Sequence, residues 1–257
     1  MRDSPRTALV TGASSGIGAA LAVLLGERGA RVALGARRVE RLEEVAKRVE
    51  RAGGRAFVHP LDVADPASVA AFCAAAEDAL GAPDLLVNNA GGNDASRIDE
   101  ARTDQLRRDV EVNLLGAMYM TREVVPGFLA RRRGDVVFVG SDAAQRPRTY
   151  QGAYNAAKAG LEAFARVLEM ETEGTGVRSV LVRVGPTWSE FSASMPKQKL
   201  PEILASWKYW GILRHLNAMP SESAARAILR AVEAPVEESY TTVVEVQPGG
   251  RSKEFSG

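Results

Sequence analysis

The chain has 257 residues, 46% of them hydrophobic, and its 33 basic and 32 acidic residues leave a net charge of +1. This length and apolar content are enough for one sizeable core, and the balanced charge indicates neither a nucleic acid nor an anionic membrane as a partner. One cysteine excludes an internal disulfide, two histidines are too few to predict a metal site, and no apolar stretch predicts a membrane span or a signal peptide. We therefore expect a single domain in the cytoplasm.

The first feature along the chain is a glycine-rich turn between a predicted strand and a predicted helix. Residues 8–10 form a short apolar run typical of a buried strand, and residues 19–25 form an apolar helical run. Glycines in such a turn let the backbone approach a pyrophosphate, which then lies on the amino-terminal N–H groups of the helix. The strand before and the helix after the turn therefore predict a dinucleotide site. Its expected contacts are Gly12, Ser14, Ser15, Gly16, Ile17 and Gly18.

Two arginines follow the second predicted strand, residues 31–36, where the adenosine ribose of a bound dinucleotide would lie. An acidic residue at this point would bind the 2′-hydroxyl of NAD, but the sequence continues with Arg37 and Arg38 and has no acidic residue before Glu40. A guanidinium can bind a phosphate through two hydrogen bonds, so the pair favours NADP(H) over NAD(H). NAD(H) remains the alternative, with the arginines as the solvated start of a helix over residues 40–51.

A hydroxyl and a tyrosine–lysine pair follow further along the chain. Residues 135–140 predict a buried parallel strand, and Ser141 stands at its carboxyl end, where open α/β sheets place their ligands. Tyr154 and Lys158 are four residues apart in a stretch predicted to be helical through residue 166, so both side chains lie on one face. We expect the ammonium to lower the pKa of the phenol, which makes Tyr154 a candidate general acid.

Strand-like apolar runs alternate with helix-length amphipathic segments along the whole chain. This alternation predicts an α/β fold, a Rossmann-type doubly wound parallel sheet of about seven strands with helices on both faces. The last predicted strand covers residues 241–246, and a surface tail is expected beyond it. We expect residues 1–257 to form one dinucleotide-binding oxidoreductase domain.

With these motifs the chain resembles the short, single-domain subclass of the short-chain dehydrogenase/reductase family. The resemblance covers residues 7–249 and rests on the Thr-Gly-x-x-x-Gly-x-Gly turn from Thr11 and on the Ser141, Tyr154 and Lys158 set. Further matching positions occur in the family's order after predicted strands at residues 56–59 and 84–87 and in a predicted helix over residues 104–120. They are Asp62, Val63, Asn88, Asn89, Ala90, Gly91 and Asn113.

The resemblance implies a role for each of these groups. Ser141 would hydrogen-bond the substrate oxygen and Tyr154 would exchange its proton, while Lys158 would tune Tyr154 and hold the nicotinamide ribose. Asn113 would position a water that links Lys158 to solvent. The implied activity is interconversion of a carbonyl and a secondary alcohol with NADP(H), and the implied assembly is a homotetramer or a dimer.

The family's pattern is broken after the predicted strand over residues 177–184. The usual Pro-Gly step is replaced by Gly185-Pro186-Thr187, which moves the proline by two positions. Gly185 still matches, and either Thr187 or Ser189 is expected to hydrogen-bond the nicotinamide carboxamide. The path of the backbone at this point is left open.

Substrate selection is expected from residues 187–219, which in the resembling family form a variable flap. All three tryptophans of the chain lie there together with Phe191 and Tyr209. Trp188, Phe191 and Trp207 are the expected substrate contacts beside Ser141 and Tyr154, and Trp207 and Trp210 are spaced to share a helix face. This aromatic surface predicts a hydrophobic ketone or alcohol as substrate. The alternative is that it packs on the core or on a neighbouring subunit.

Two other functions stay open. A redox sensor would use the same nucleotide pocket without catalysis, although the complete Ser141, Tyr154 and Lys158 set argues against it. Alternatively the site would act on an activated double bond or on a keto intermediate bound to a carrier protein. Candidate basic contacts for such a carrier are Lys197, Lys199 and Lys208.

Overall fold

The computed structural model describes residues 5–188, 190, 195, 198–212, 217–233 and 241–249. Its strands are β1 (Thr7–Thr11), β2 (Arg31–Ala36), β3 (Arg55–Pro60), β4 (Leu85–Asn88), β5 (Gly134–Ser141), β6 (Val177–Val184), β7 (Thr187–Trp188), β8 (Met219–Pro220) and β9 (Val243–Val246). Its helices are α1 (Gly16–Gly26), α2 (Val39–Arg51), α3 (Pro66–Leu80), α4 (Thr103–Val110), α5 (Gly116–Ala130), α6 (Gly152–Thr172), α7 (Leu200–Tyr209) and α8 (Ser221–Glu233).

Seven of these strands form one parallel sheet in the order β3-β2-β1-β4-β5-β6-β9. The order reverses direction between β1 and β4, and such a switch point opens a crevice at the carboxyl ends of the two strands. The two-residue strands β7 and β8 pair separately, beyond the carboxyl end of β6. This topology confirms the predicted doubly wound parallel sheet in a single domain.

Helices cover both faces of the sheet because successive side chains of each strand point to opposite sides. Within β2, Val32 and Leu34 pack into a core with α1, α2 and α8, whereas Ala33 packs into a second core with α3, α5 and α6. Strands that are buried on both faces read as continuous apolar runs, and this is the signal from which they were predicted.

The predicted helix over residues 104–120 is divided. Helix α4 ends at Val110, a π-helical turn covers Glu111–Leu115, and α5 continues to Ala130. The wider turn inserts an extra residue into the helical repeat, and such turns are frequent at functional sites. The turn contains Asn113, whose side chain is buried.

A network of charges lies at the amino end of the sheet. Asp135 at the start of β5 and Arg178 at the start of β6 are both completely buried, and Arg178 Nε lies 2.7 Å from Asp135 Oδ1. Arg6 approaches the other carboxylate oxygen at 2.6 Å and also pairs with Asp84 at 3.0 Å. Neighbouring strands are thus joined by paired charges as well as by backbone hydrogen bonds.

The remaining differences from the predicted elements are small. Helix α6 continues to Thr172 rather than ending near residue 166, and β9 begins at Val243 rather than at residue 241. The predicted surface tail lies almost wholly outside the described residues. Among the helices that are described, none is both long and apolar enough to cross a membrane.

Candidate active site

The glycine turn after β1 is built for close approach of the backbone. Gly12 has a φ of +64°, and a Cβ atom there would lie only 2.8 Å from Ala90 Cα. Gly18 lies beneath the turn, where a Cβ atom would come within 2.6 Å of the Gly12 carbonyl oxygen. Side chains are therefore excluded at both positions, and the start of α1 stays accessible through bare backbone.

A threonine and an asparagine join this turn to the loop after β4. Thr11 Oγ1 accepts hydrogen bonds from the amides of Asn89 and Ala90, both at 3.0 Å, and donates to Val87 O at 3.2 Å. The Asn89 side-chain amide donates to Thr11 O at 2.9 Å and to Gly12 O at 3.3 Å. The glycine turn and the loop after β4, which form two walls of the switch-point crevice, are thus hydrogen-bonded to each other.

A cavity of about 860 Å³ extends from this crevice across the carboxyl ends of the strands. It brings together nearly all of the predicted site residues. Those that line it are Gly12, Ser14, Ser15, Gly16, Ile17, Arg37, Arg38, Asp62, Val63, Asn89, Ala90, Gly91, Asn113, Ser141, Tyr154, Lys158, Gly185, Thr187, Trp188 and Trp207. Gly18 supports the turn from below instead, and Phe191 and Ser189 lie outside the described residues.

Ser141 and Tyr154 meet at one end of this cavity. Ser141 is the last residue of β5, where its Oγ caps a short 3₁₀ turn (Asp142–Ala144) by accepting from the Ala143 amide at 3.1 Å. Tyr154 is buried in the first turn of α6 and hydrogen-bonds to the Ser141 side chain. The two hydroxyls are therefore presented together to whatever group occupies the cavity.

Burial raises the pKa of Tyr154 above its usual value, and a hydrogen bond from Ser141 and the positive charge of Arg148 oppose this rise only in part. The prediction that this pKa lies below its usual value was therefore wrong. The ammonium nitrogen of Lys158 lies 5.8 Å from the centre of the Tyr154 ring and donates to Val139 O at 2.9 Å. Desolvation of the phenol outweighs any benefit from its neighbour.

Lys158 is itself strongly affected by burial. Desolvation lowers the pKa of its ammonium from 10.5 to about 8, and no carboxylate of the described residues forms an ion pair with it. Its described partner is the neutral carbonyl of Val139 on β5. The ammonium is thus held in place but can lose its proton near physiological pH.

Asn113 connects the π-helical turn to the loop after β4. Its side-chain amide donates to Gly92 O at 2.7 Å and to Asp109 O at 2.8 Å, and its Oδ1 accepts from the Gly92 amide at 3.3 Å. Asn113 therefore positions the loop that forms one wall of the cavity. Its proposed role in holding a water near Lys158 stays a prediction.

One group of cavity residues was not predicted. Arg148 Nη2 lies 2.8 Å from both carboxylate oxygens of Asp142, and its guanidinium lies over the ring of Trp207 at 5.6 Å from the ring centre. Gln247 reaches the same carboxylate at 3.4 Å. In the sequence, the only sign of this pair is that Asp142 and Arg148 both lie between Ser141 and Tyr154. Charged residues are common in any loop, so their presence there did not predict a pair.

The predicted flap aromatics divide into buried and exposed groups. Trp207 is buried against the loop after β5, and its indole N–H donates to Thr149 O at 3.0 Å. Trp188 lines the cavity but is 66% exposed. The prediction that Trp207 and Trp210 share a helix face was wrong, because α7 ends at Tyr209 and Trp210 lies exposed beyond it.

The displaced proline has a clear local consequence. Gly185 N donates to Val246 O at 2.8 Å, the Thr187 hydroxyl donates to Gly185 O at 2.9 Å, and Pro186 O accepts from the Met219 amide at 2.9 Å. The chain after β6 thus enters the short β7–β8 pair. Gly185 and Thr187 both line the cavity, and their contact with the nicotinamide stays a prediction.

The opposite end of the cavity carries the two arginines. Arg38 Nη2 donates to the hydroxyl oxygens of Ser14 and Ser15, both at 3.0 Å, and Arg38 Nη1 donates to Glu190 Oε2 at 2.6 Å. Both serine hydroxyls thus accept a hydrogen bond from Arg38. Arg37 lies exposed on the same wall.

These features fit a nicotinamide dinucleotide. A bare-backbone turn at the start of a helix suits a pyrophosphate, cationic side chains lie where the adenosine ribose is expected, and the hydroxyl pair lies at the other end. Among the described residues no three His, Cys, Asp or Glu side chains come together to hold a metal ion.

Comparison with known proteins agrees with this geometry. The family model described as short chain dehydrogenase matches residues 6–200. The chain is 40% identical over 90% of its length to glycine betaine reductase ATRR of Emericella nidulans, but it spans only 18% of that protein. It is 35% identical over 70% of its length to an uncharacterized oxidoreductase of Mycobacterium tuberculosis, of which it spans 54%.

Two solved structures share the fold over almost the whole chain. An alcohol dehydrogenase from the archaeon Thermococcus sibiricus, complexed with 5-hydroxy-NADP, has a TM-score of 0.81 at 27% identity and covers 97% of this chain and 99% of its own. A metagenomic short-chain oxidoreductase in complex with NADP has a TM-score of 0.79 at 30% identity and covers 96% of this chain and 99% of its own. The chain belongs to the short-chain dehydrogenase family of oxidoreductases.

Proposed function

We propose that this oxidoreductase interconverts a carbonyl compound and a secondary alcohol with NADP(H) as the hydride carrier. The observation that carries the proposal is the convergence of Ser141, Tyr154 and Lys158 at one end of a cavity whose other end has the glycine turn and Arg38. The two structural neighbours complexed with NADP or its derivative support the same cofactor.

The chain's own residues supply the proton and the orientation. When bound, the nicotinamide supplies or accepts the hydride. The Ser141 hydroxyl donates a hydrogen bond to the substrate oxygen, and Tyr154 gives that oxygen a proton in reduction or removes one in oxidation. Because burial raises the pKa of Tyr154, its hydroxyl is protonated at neutral pH, which favours its action as the acid in reduction.

The residues that would hold the cofactor follow from the lining of the cavity. Arg37 and Arg38 would bind the 2′-phosphate that distinguishes NADP from NAD, and Lys158 would hold the nicotinamide ribose. The glycine turn would bind the pyrophosphate, and Thr187 would contact the nicotinamide. The further contacts are Ser14, Ser15, Ile17, Asp62, Val63, Asn89, Ala90, Gly91 and Gly185. An NAD-dependent alcohol dehydrogenase is the alternative.

A hydrophobic ketone remains the proposed substrate, selected by a flap at about residues 187–219. Its support is the apolar wall formed by Trp207, Trp188, Leu200 and Leu204. The Asp142–Arg148 pair gives the same cavity a charged wall, so charged carbonyl compounds belong beside simple ketones in any substrate panel.

The test is NADPH oxidation with a panel of aliphatic, cyclic, aromatic and charged carbonyl compounds, for the native protein and for Tyr154→Phe. Loss of the phenolic proton should lower turnover by about a hundredfold or more. Binding of NADPH, measured by fluorescence, should be retained. Tyr209→Phe is the matched control, because Tyr209 is 81% exposed on the flap. Near-normal turnover in Tyr154→Phe would remove the assigned acid.

The rival functions predict different results. A redox sensor would bind NADPH tightly and turn over no compound of the panel. A carrier-bound substrate would need a basic surface, but of its candidates Lys199 pairs with Glu100, Lys208 is exposed, and Lys197 lies outside the described residues. Turnover only with carrier-bound substrates would favour this second rival.

We also propose a homodimer or homotetramer. The support is apolar surface on α6, where Val167 and Met170 are exposed in the single chain. Light scattering coupled to size-exclusion chromatography measures the mass directly, and a monomer at micromolar concentration would contradict the proposal. A location in the cytoplasm stays a prediction from the sequence.

A further inference from the structure

An acidic residue from the flap reaches the expected phosphate end of the cavity. Glu190 stands shortly after β7, and its carboxylate contacts both Arg38, at the start of α2, and Arg41, one turn further along that helix. The distance from Arg38 Nη1 to Glu190 Oε2 is 2.6 Å. The three side chains are each between 45% and 48% exposed, so the cluster is open to solvent, and Arg38 and Glu190 also line the cavity.

These contacts occupy the end of Arg38 that a phosphate would use. Arg38 donates from one terminal nitrogen to Ser14 and Ser15 and from the other to Glu190. An arginine binds phosphate best through two parallel N–H donors, and the fork of Arg38 cannot present both while Glu190 holds one of them. The carboxylate also remains charged throughout the physiological range, because hydrogen bonds from Arg38 and Arg41 lower its pKa to about 2.

We propose that Glu190 competes with the 2′-phosphate of NADP(H) for Arg38 and Arg41 and thereby sets the preference between NADPH and NADH. The inference rests on the proposed function, in which Arg38 binds that phosphate. A phosphate monoester carries a charge of about −1.5 to −2 at neutral pH and needs the same guanidinium donors, so it must displace the carboxylate from the arginines. NADH has no 2′-phosphate and needs no such displacement.

The size of the effect follows from exposure. Ion pairs between exposed side chains are weak and are screened by salt, so Glu190 reduces the affinity for NADPH without preventing its binding. The carboxylate of Glu190 is therefore expected to reduce the difference in affinity between NADPH and NADH, so that the protein can bind either cofactor.

The experiment is a fluorescence titration of NADPH and NADH with the native protein and with Glu190→Gln. The Kd for NADPH should fall about three- to fivefold at low salt, the Kd for NADH should stay within about twofold, and the difference should disappear in about 1 M NaCl. Glu50→Gln is the matched control, because it removes the same charge from an exposed position in the last turn of α2. It should leave both constants unchanged.

A second background isolates the competition. When Arg38→Met and Arg41→Met are combined, the native carboxylate loses both arginines that it contacts, and adding Glu190→Gln should no longer tighten NADPH binding. Tightening that persists there would overturn the proposal in favour of simple repulsion between charges. Equal weakening of both cofactors by Glu190→Gln would also overturn it, since Glu190 would then clamp the bound dinucleotide.

The same titrations distinguish failure of the proposed preference for NADP(H) from failure of the inference about Glu190. If the native protein binds NADPH no more tightly than NADH but Glu190→Gln prefers NADPH, the inference holds and the preference was masked. If neither protein distinguishes the two cofactors, Arg38 does not bind the phosphate and both proposals fail.

Discussion

The two ends of β5 use buried charge in opposite ways. At the amino end, Asp135 is completely buried and pairs with Arg178 and Arg6, so the charges compensate one another. At the carboxyl end, the ammonium of Lys158 is also buried but donates to the neutral carbonyl of Val139. Asp135 and Lys158 are both buried, but Asp135 has charged partners and Lys158 donates to a neutral one. A compensated charge cannot be removed without leaving its partner buried and unpaired, whereas an uncompensated charge costs stability in the native protein and produces a group that can titrate near neutral pH.

The largest expected effect on stability comes from substitution of Asp135, at the amino end of β5. Asp135→Asn keeps the shape of the side chain but leaves Arg178 buried without its carboxylate, so the free energy of unfolding should fall by about 3–5 kcal/mol. Urea denaturation followed by circular dichroism measures this change. Asp104→Asn is the control, since it breaks an ion pair with Arg102 that is fully exposed and should leave stability nearly unchanged. Equal effects of the two substitutions would show that the buried set contributes no more to stability than an exposed ion pair does.

Removing the buried charge of Lys158, at the carboxyl end of β5, should instead raise the free energy of unfolding. In the folded chain the pKa of Lys158 is about 8, against 10.5 for an ordinary lysine, so between these values the unfolded chain binds more protons and stability rises with pH. Below pH 8 the cost of burying the charge is fully present. Lys158→Met removes that cost and should raise the free energy of unfolding at pH 7 by about 1–3 kcal/mol.

Denaturation at several pH values tests this prediction together with turnover. The gain in stability of Lys158→Met over the native protein should shrink between pH 8 and 10.5, and turnover should be lost at every pH. A variant less stable than the native protein at pH 7 would show that the hydrogen bond to Val139 outweighs the cost of burial.

The smallest expected effect is on the pKa of Tyr154 and comes from the Asp142–Arg148 pair beside the hydroxyls of Ser141 and Tyr154. Arg148 opposes the rise in the pKa of Tyr154 and Asp142 adds to it, so Arg148→Met should raise this pKa further. The rising limb of alcohol oxidation, which needs the phenolate, should move to higher pH, and ketone reduction should persist to higher pH. Arg146→Met, exposed in the same loop, is the control. A uniform loss of activity without a shift of the profile would assign Arg148 a purely structural role.

The sequence was most informative where the signal is local. A strand, a glycine turn and a helix follow one another from residue 7 to residue 26, and Tyr154 and Lys158 share a helix face because they are four residues apart. Apolar runs likewise predicted the strands of the sheet, because strands covered on both faces need apolar side chains at consecutive positions. The predicted bounds of these strands and helices differ from the observed ones by only a few residues.

Features that depend on distant parts of the chain were not predictable. Arg38 and Glu190 are 152 positions apart, and no periodic pattern connects them. The direction of the pKa change at Tyr154 depends on how completely the fold removes the phenol from water, which a spacing of four residues does not record. The π-helical turn at Glu111–Leu115 also has no distinct composition, so the segment was predicted as ordinary helix.

The order of the strands has a consequence for synthesis of the chain. From β1 outward, each neighbour toward either edge of the sheet comes later in the sequence, so an emerging strand always finds its partner already made. Amino-terminal segments emerge first during translation, and here β1 and β4, whose carboxyl ends form the crevice, are synthesised before β5 and α6, which carry the Ser141 and Tyr154 hydroxyls. The last strand, β9, leads into Gln247, which packs against Gly185 and reaches Asp142. On the ribosome, the segments that carry the glycine turn therefore emerge first, and Gln247, which reaches Asp142 beside Ser141, emerges after all seven strands of the main sheet.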